Sequence, residues 1–470
     1  MSLPSASRMV RPNEQQGESV PTLPVTDLVV VLPGIMGSVL AKDGREVWNH
    51  TLAVAGRHAL GRLHEVRALT LPRGIGDSDP EDGVEAVGLL KGLHILPGVS
   101  AIDGYGTLLG FLERRLRVSE RNGNLLPFPY DWRLSVRLNA RRLAARVEPA
   151  LTAWRERVGD PTAQAVFIAH SMGGLVARYY LDVLGGSRHA RGLVTIGTPY
   201  RGSVNALTSL HGGVAPRLGR FSEPFTRLAR SMPSLHQLLP TWRCLAGPDG
   251  LRSDLDHVRV SGVDGDMAAD ALRFHDELDR ADGEGYALHV FGGYRQPTRQ
   301  SARLGAGTLD GLRDVDGTDH FGDGTVPRFS CFPVQSSDDS TVRFFAQKHG
   351  ALQNERALLN QVEALLTACD PREFLDGRRE LSVDVPEVVE GPDCPVEVTA
   401  DDDRLLLSAD AEDIETGRTG ARRTLRNHGD GRYGTRLTLP GPGTWRVTVG
   451  DPVNTGRVND VSSIVLVAQP

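Results

Sequence analysis

Residues 165–181 read AVFIAHSMGGLVARYYL, and this stretch constrains the fold more than any other. AVFIAH is a continuous apolar run, the mark of a strand buried on both faces of a parallel sheet. LVARYYL resumes with apolar residues at helical spacing. Between them the chain turns sharply at Ser171, and a turn this tight needs small residues two before and two after it. Ala169 and Gly173 stand there, Ala169 where glycine is usual. A serine so placed projects its Oγ at the carboxyl edge of a sheet, where a nucleophile is needed. The bare pattern [GA]-x-S-x-G arises by chance about once in two chains of this size, so its specificity comes from the flanking strand and helix.

The rest of the chain supplies the sheet. LVVVLPGIMGSVL begins at residue 28, GLVTIGTP at 192, ALHVFGG at 287 and TVRFFAQ at 341. Helical periodicities lie between, over 108–118, 138–158 and 351–368. Strands alternating with amphipathic helices predict an α/β fold with a mainly parallel sheet covered on both faces. Between 204 and 282 the pattern loosens, which points to a lid or cap insertion, with plain structural elaboration as the alternative. GLLKGLHILPGV, 88–99, is a second apolar patch, either core or a cap face that meets lipid.

After Arg378 the texture changes to short alternating runs. In GTWRVTVG, Trp445, Val447 and Val449 share one face and Arg446 and Thr448 the other, as in a half-buried antiparallel strand. The expected organisation is a flexible leader over 1–25, a catalytic domain over 26–376 and an all-β sandwich domain over 377–470.

Composition removes several function classes. The 470 residues exceed one ordinary domain, and 40% hydrophobic with 24% charged residues is usual for a globular chain. A net charge of -6 gives no bulk attraction to a polyanion, so no nucleic-acid partner is expected. Four cysteines without a C-x-x-C pair make no disulfide scaffold. Residues 1–25 hold no apolar run of signal-peptide length, and no stretch reaches about 18 apolar residues. The expected compartment is the cytoplasm, with transient contact to the inner membrane face.

The motifs PGIMGS at 33–38, YDWR at 130–133, AHSMGGLVARYY at 169–180, GTPYRGS at 197–203, GDGTVP at 322–327 and KHGAL at 348–352 occur in one order. In them the chain resembles the lecithin:cholesterol acyltransferase-like and lysosomal phospholipase A2-like lipases of the α/β-hydrolase fold. The resemblance covers most of residues 27–370 and leaves out the β-rich tail. It implies a serine acyl hydrolase or acyltransferase acting on phospholipid or another long-chain ester. It also assigns the triad acid to Asp323, in GDGTVP, and one oxyanion-hole N–H to Met36.

The residues themselves supply the remaining roles. In this fold the triad runs Ser, Asp, His along the chain. His349 follows a strand and precedes a helix, where a loop can bring an imidazole over Ser171, and it is the expected base. His320 precedes the acid and breaks that order. Gly322 and Gly324 let a turn aim Asp323; Asp314, Asp316 and Asp319 are fallbacks. Met172, first residue of the helix after the nucleophile, offers the second oxyanion N–H. The run D-x-D-G-x-D around Asp314 invites calcium but lacks the EF-hand spacing and its Glu. No metal and no cofactor is expected. Phe128–Arg133 either lines the acyl pocket or holds the sheet edge through an Asp131–Arg133 ion pair, the latter favoured.

The expected activity is cleavage of lipid carboxylic esters through an acyl-enzyme on Ser171. An esterase for small soluble esters and a non-catalytic binding protein on a hydrolase scaffold are the alternatives. Expected partners are the lipid or ester substrate, and for the β tail a protein of unknown kind.

Overall fold

The computed structural model describes residues 25–49, 59–92, 94–96, 100–213, 222–247, 250–253, 260–281, 283, 285–305, 308–334, 342–367, 381–420, 422–452, 458 and 460–468. Residues 1–24 of the expected leader over 1–25, and residues 368–380 around the expected domain boundary, lie outside these residues.

Six strands build the central sheet: β1 Leu28–Leu32, β2 Leu125–Pro127, β3 Ala165–His170, β4 Ala190–Ile196, β5 Ala287–Gly293 and β6 Arg343–Phe345. Their order across the sheet is β6-β5-β4-β3-β1-β2, and all five pairings are parallel. β1 is fixed against β3 by the register Leu28↔Ala165 through Leu32↔Ala169.

Side chains alternate across this sheet, and the apolar runs therefore feed two cores. Leu28, Val30, Leu32, Ala165 and Phe167 enter one cluster with Leu143, Val147 and Leu151 of helix Val136–Val158 and Leu175 and Val176 of helix Met172–Arg178. Val29, Val31, Val166 and Ile168 enter the other, with Leu108, Leu112 and Leu116 of helix Gly106–Leu116 and Leu358 and Val362 of helix Arg356–Thr367. Each fully buried leucine on these helices contributes roughly 2 kcal/mol by leaving water. This is the two-sided α/β architecture that the alternation of strands and helices predicts.

The insertion between β4 and β5 is partly welded to that core. Helix Gly265–Arg280 buries Phe274 and Leu278, and Phe274 stacks on Tyr179 at 5.8 Å between ring centroids. Arg137 ties the same helix down, donating to Glu277 at 2.7 Å and to Asp270 at 2.8 Å. Of the apolar patch at 88–99, Leu89 and Leu90 are buried core. The side chains from 93 onward lie outside the described residues.

Beyond residue 381 two sheets face each other. One contains β7 Leu381–Asp384, β9 Asp393–Ala400, β12 Arg426–Gly429 and β13 Arg432–Thr438; the other contains β8 Val388–Glu390, β10 Ser408–Asp413, β11 Arg423–Thr424, β14 Gly443–Gly450 and β15 Val461–Ala468. Trp445, Val447 and Val449 point into the shared core, as the alternation in GTWRVTVG requires. β8 pairs with β15 in parallel; the other pairings are antiparallel.

Among the described residues no helix is long and apolar enough to cross a membrane.

Candidate active site

Ser171 ends β3 with φ 53° and ψ -127°, a conformation that a side chain rarely accepts. Its N–H donates to Ile196 of β4 at 2.8 Å, and its carbonyl accepts from Thr198 Oγ1 at 3.0 Å. The neighbouring strand thus grips the turn from both sides. Gly173 permits the close approach: a Cβ there would lie 2.4 Å from the Pro33 carbonyl oxygen.

The expected base and acid converge on this hydroxyl. His349 Nε2 is 2.9 Å from Ser171 Oγ, and His349 Nδ1 is 2.7 Å from Asp323 Oδ2. Asp323 Oδ1 accepts the N–H groups of Thr325 at 2.9 Å and Val326 at 2.6 Å. The carboxylate is an acceptor at each contact, so the imidazole proton sits on Nδ1 and Nε2 is free to accept from Ser171. The two loops are also joined through the backbone, His349 N–H to Asp323 O at 2.8 Å. All three residues are buried to 5% exposure or less.

The loop after β1 presses on the nucleophile from the other side. A Cβ on Gly34 would lie 2.9 Å from Ser171 Cβ. Met36 holds φ 62° in this loop, and its carbonyl accepts from Trp48 Nε1 at 3.2 Å. Met172 begins the helix after Ser171. Both expected oxyanion residues therefore lie on the two segments that flank the hydroxyl.

A second line of polar groups, not evident in the motifs, runs beneath the first. Gly34 N–H donates to Tyr105 Oη at 2.7 Å, and Tyr105 Oη stands 2.9 Å from His170 Nδ1. The His349 carbonyl can only accept, so His170 Nε2–H donates to it at 3.0 Å, and in the neutral ring Nδ1 then accepts the Tyr105 hydroxyl proton. Burial, with a smaller effect of the nearby His349, lowers the His170 pKa to about 3. A neutral imidazole thus joins the loop at Gly34 to the backbone of the base. The signal in the sequence was only that His170 precedes the serine; Tyr105 sits 65 positions away.

The remaining candidates are elsewhere. The His320 ring packs edge-on against Phe329 at 5.5 Å between centroids. Asp314 Oδ1 accepts the Gly317 N–H at 3.0 Å, and Asp319 Oδ1 accepts the Phe321 N–H at 2.7 Å and Gln300 Nε2 at 2.5 Å. The Asp-rich run is a hydrogen-bonded turn, and among the described residues no group of three or more His, Cys, Asp or Glu is arranged to hold a metal. In YDWR, Arg133 is fully buried and bonds Asp131 at 2.7 Å, Asp82 at 2.8 Å and the Leu69 carbonyl at 2.9 Å, the structural role favoured for this motif. GTPYRGS supports the acid loop, with Ser203 Oγ donating to Thr325 O at 2.5 Å.

The chain is similar to several known proteins. An uncharacterised protein of Saccharomyces cerevisiae is 35% identical over 179 residues, 36% of this chain and 23% of that relative's length. The chain thus spans less than a quarter of that relative. Bacillus licheniformis lipase BlEst2 in mature form aligns over 74% of this chain and 94% of its own at 11% identity and TM-score 0.34. Phospholipase PlaB from Legionella pneumophila aligns over 80% and 91% at 12% identity and TM-score 0.26. The fold assignment rests on the strand order itself. The resemblance carried by the motifs is borne out: residues 114–294 match the lecithin:cholesterol acyltransferase family, with Ser171 inside the matched stretch and Asp323 and His349 beyond it.

Proposed function

We propose that the chain is a serine acyl hydrolase or acyltransferase that acts on lipid carboxylic esters through an acyl-enzyme on Ser171. The observation that carries this reading is the hydrogen-bonded line from Ser171 Oγ through the His349 imidazole to the Asp323 carboxylate. In it, Ser171 Oγ attacks the ester carbonyl while His349 Nε2 takes the hydroxyl proton, and Asp323 holds the imidazolium that forms. The N–H groups of Met36 and Met172 receive the charge on the carbonyl oxygen, each worth roughly 3–4 kcal/mol in the transition state. His349 then protonates the leaving alcohol, and water or a second alcohol attacks the acyl-Ser171 ester with His349 again as base. The match to the lecithin:cholesterol acyltransferase family favours a long-chain ester as the acyl donor. In this reading residues 26–376 carry the chemistry, 377–470 are accessory, and the protein works in the cytoplasm at the face of the membrane.

The test treats mixed phospholipid liposomes with the full chain and with Ser171→Ala, with and without a long-chain alcohol, and identifies products by mass. Free fatty acid from the parent alone is the expected hydrolase outcome; a new ester in the presence of the alcohol is the transferase outcome. Products formed equally by Ser171→Ala would refute the reading. So would a parent whose Ser171 takes up no fluorophosphonate.

A further inference from the structure

Two buried glutamines and one lysine, unused by the chemistry above, tie the C-terminal sheets to the loops that carry Asp323 and His349. Gln296 is 1% exposed. Its backbone belongs to the acid loop: Gln296 N–H donates to Gly322 O at 2.9 Å, and Gln296 bridges Asp323 in parallel. Its side chain belongs to β7, with Nε2 donating to Leu381 O at 3.0 Å and Oε1 accepting from Val383 N–H at 3.1 Å.

Gln347 repeats the arrangement two residues before His349. Its Oε1 accepts from Ser462 N–H at 3.3 Å and Lys348 N–H at 2.9 Å, and its Nε2 donates to Asp460 O at 3.4 Å and Glu355 Oε2 at 3.1 Å. The chain has only three lysines, and one of them, Lys348, adjoins His349 and donates to Ser463 Oγ of β15 at 2.7 Å. Ion pairs frame the contact, Arg295 to Asp401 at 2.5 Å and Arg313 to Asp384 at 3.2 Å. A third joins Arg446 of β14 to Asp103, whose N–H donates to Gly350 O beside the base.

Amide side chains bonded to backbone fix position along and across the strand, because hydrogen bonds are directional. A buried amide that slips loses both partners. The same tolerance governs the reacting groups, since a displacement of about 1 Å costs on the order of 100-fold in rate. We propose that the C-terminal sheets are a working part of the reactive centre: through Gln296, Gln347 and Lys348 they hold the acid and base loops at the spacing that the Ser171–His349–Asp323 line requires. The proposal rests on the acyl-transfer reading of that line, and it makes these three side chains positioning residues.

The test uses the full chain. Gln296→Ala, Gln347→Ala, Ser463→Ala and Ser463→Thr are compared with the parent and with Arg422→Ala, which removes a half-exposed tail pair to Asp410 away from the contact. Readouts are the rate of fluorophosphonate labelling at Ser171, kcat and KM for a soluble short-chain ester, amide exchange over residues 343–354, and the thermal unfolding midpoint. The two glutamine variants are expected to label about tenfold more slowly, with kcat reduced, KM within about twofold and faster exchange in 343–354. Ser463→Ala shifts the same way, Ser463→Thr restores the parental rate through its hydroxyl, and Arg422→Ala matches the parent. Glutamine variants that are folded and label at the parental rate overturn the proposal, as does a loss that only tracks the fraction unfolded. A parent that does not label at all refutes the acyl-transfer reading instead, so the two failures are distinct.

Discussion

Replacing Tyr105 by phenylalanine removes one oxygen from the line that joins the Gly34 loop to the base. That oxygen accepts the Gly34 N–H at 2.7 Å and stands 2.9 Å from His170 Nδ1, and Tyr105 is fully buried. The phenyl ring fills the same space, so packing is conserved and the cost falls on two polar groups left without a partner. At about 1–3 kcal/mol for each of the two buried unsatisfied groups, Tyr105→Phe destabilises the fold by roughly 2–6 kcal/mol. Either group can recover a partner only by moving, and Gly34 lies against Ser171 while His170 holds the His349 carbonyl. Activity therefore falls with stability: kcat drops by about 10–100-fold in fully folded protein, with a smaller change in KM. Urea unfolding at constant m-value gives the first quantity, and steady-state kinetics well below the unfolding midpoint give the second. A variant with the parental unfolding midpoint and the parental kcat would show that the Tyr105–His170 line supports nothing.

Three further outcomes follow from named contacts. Gly34→Ala places a methyl 2.9 Å from Ser171 Cβ and 3.1 Å from His170 Nδ1; kcat falls at least about tenfold while the unfolding midpoint moves little, and unchanged turnover would exclude close contact of this loop with the nucleophile. Arg133→Met strands the buried Asp131 carboxylate and costs about 3–5 kcal/mol by urea unfolding, whereas the pair Asp131→Asn with Arg133→Met recovers much of that; equal losses in both would contradict the argument. Burial, before any hydrogen bond or charge, lowers the pKa of His275 from 6.5 to about 4. The unfolded chain then binds more protons, so this contribution is complete above pH 6.5 and is lost as pH falls toward 4, about 2 kcal/mol by pH 5. His275→Gln narrows the gap in unfolding free energy between pH 7.5 and pH 5 by that amount, and an unchanged gap would be decisive against it.

The sheet and most of its candidate site were legible because both are written largely as local patterns. Four apolar runs sit on β1, β3, β4 and β5, and the tight turn at Ser171 follows from the strand–serine–glycine spacing. The candidate base emerged from its place between a strand and a helix, and the candidate acid from the resemblance carried by GDGTVP, whose second residue is Asp323. What failed to show were elements too short for a period. β2, Leu125–Pro127, is a three-residue edge strand ending in proline, whereas β6, Arg343–Phe345, lies within the apolar run at 341–347 that reads as a strand. Helix Gly265–Arg280 of the insertion is fastened by Phe274 and by Arg137 from outside the insertion, a pairing with no local signature. The Tyr105–His170 line and the three side chains that meet the β tail were invisible for the same reason. Each is a polar contact across 65 to 115 positions, and single polar residues carry no periodicity to betray their partners.

The order in which these parts are written also sets the order in which they exist. Ser463 leaves the ribosome 115 positions after Lys348, so a growing chain has its hydroxyl, carboxylate and imidazole long before strand Val461–Ala468 arrives beneath them. Under the proposal above, the reacting groups of a growing chain reach their final spacing only after this strand has docked.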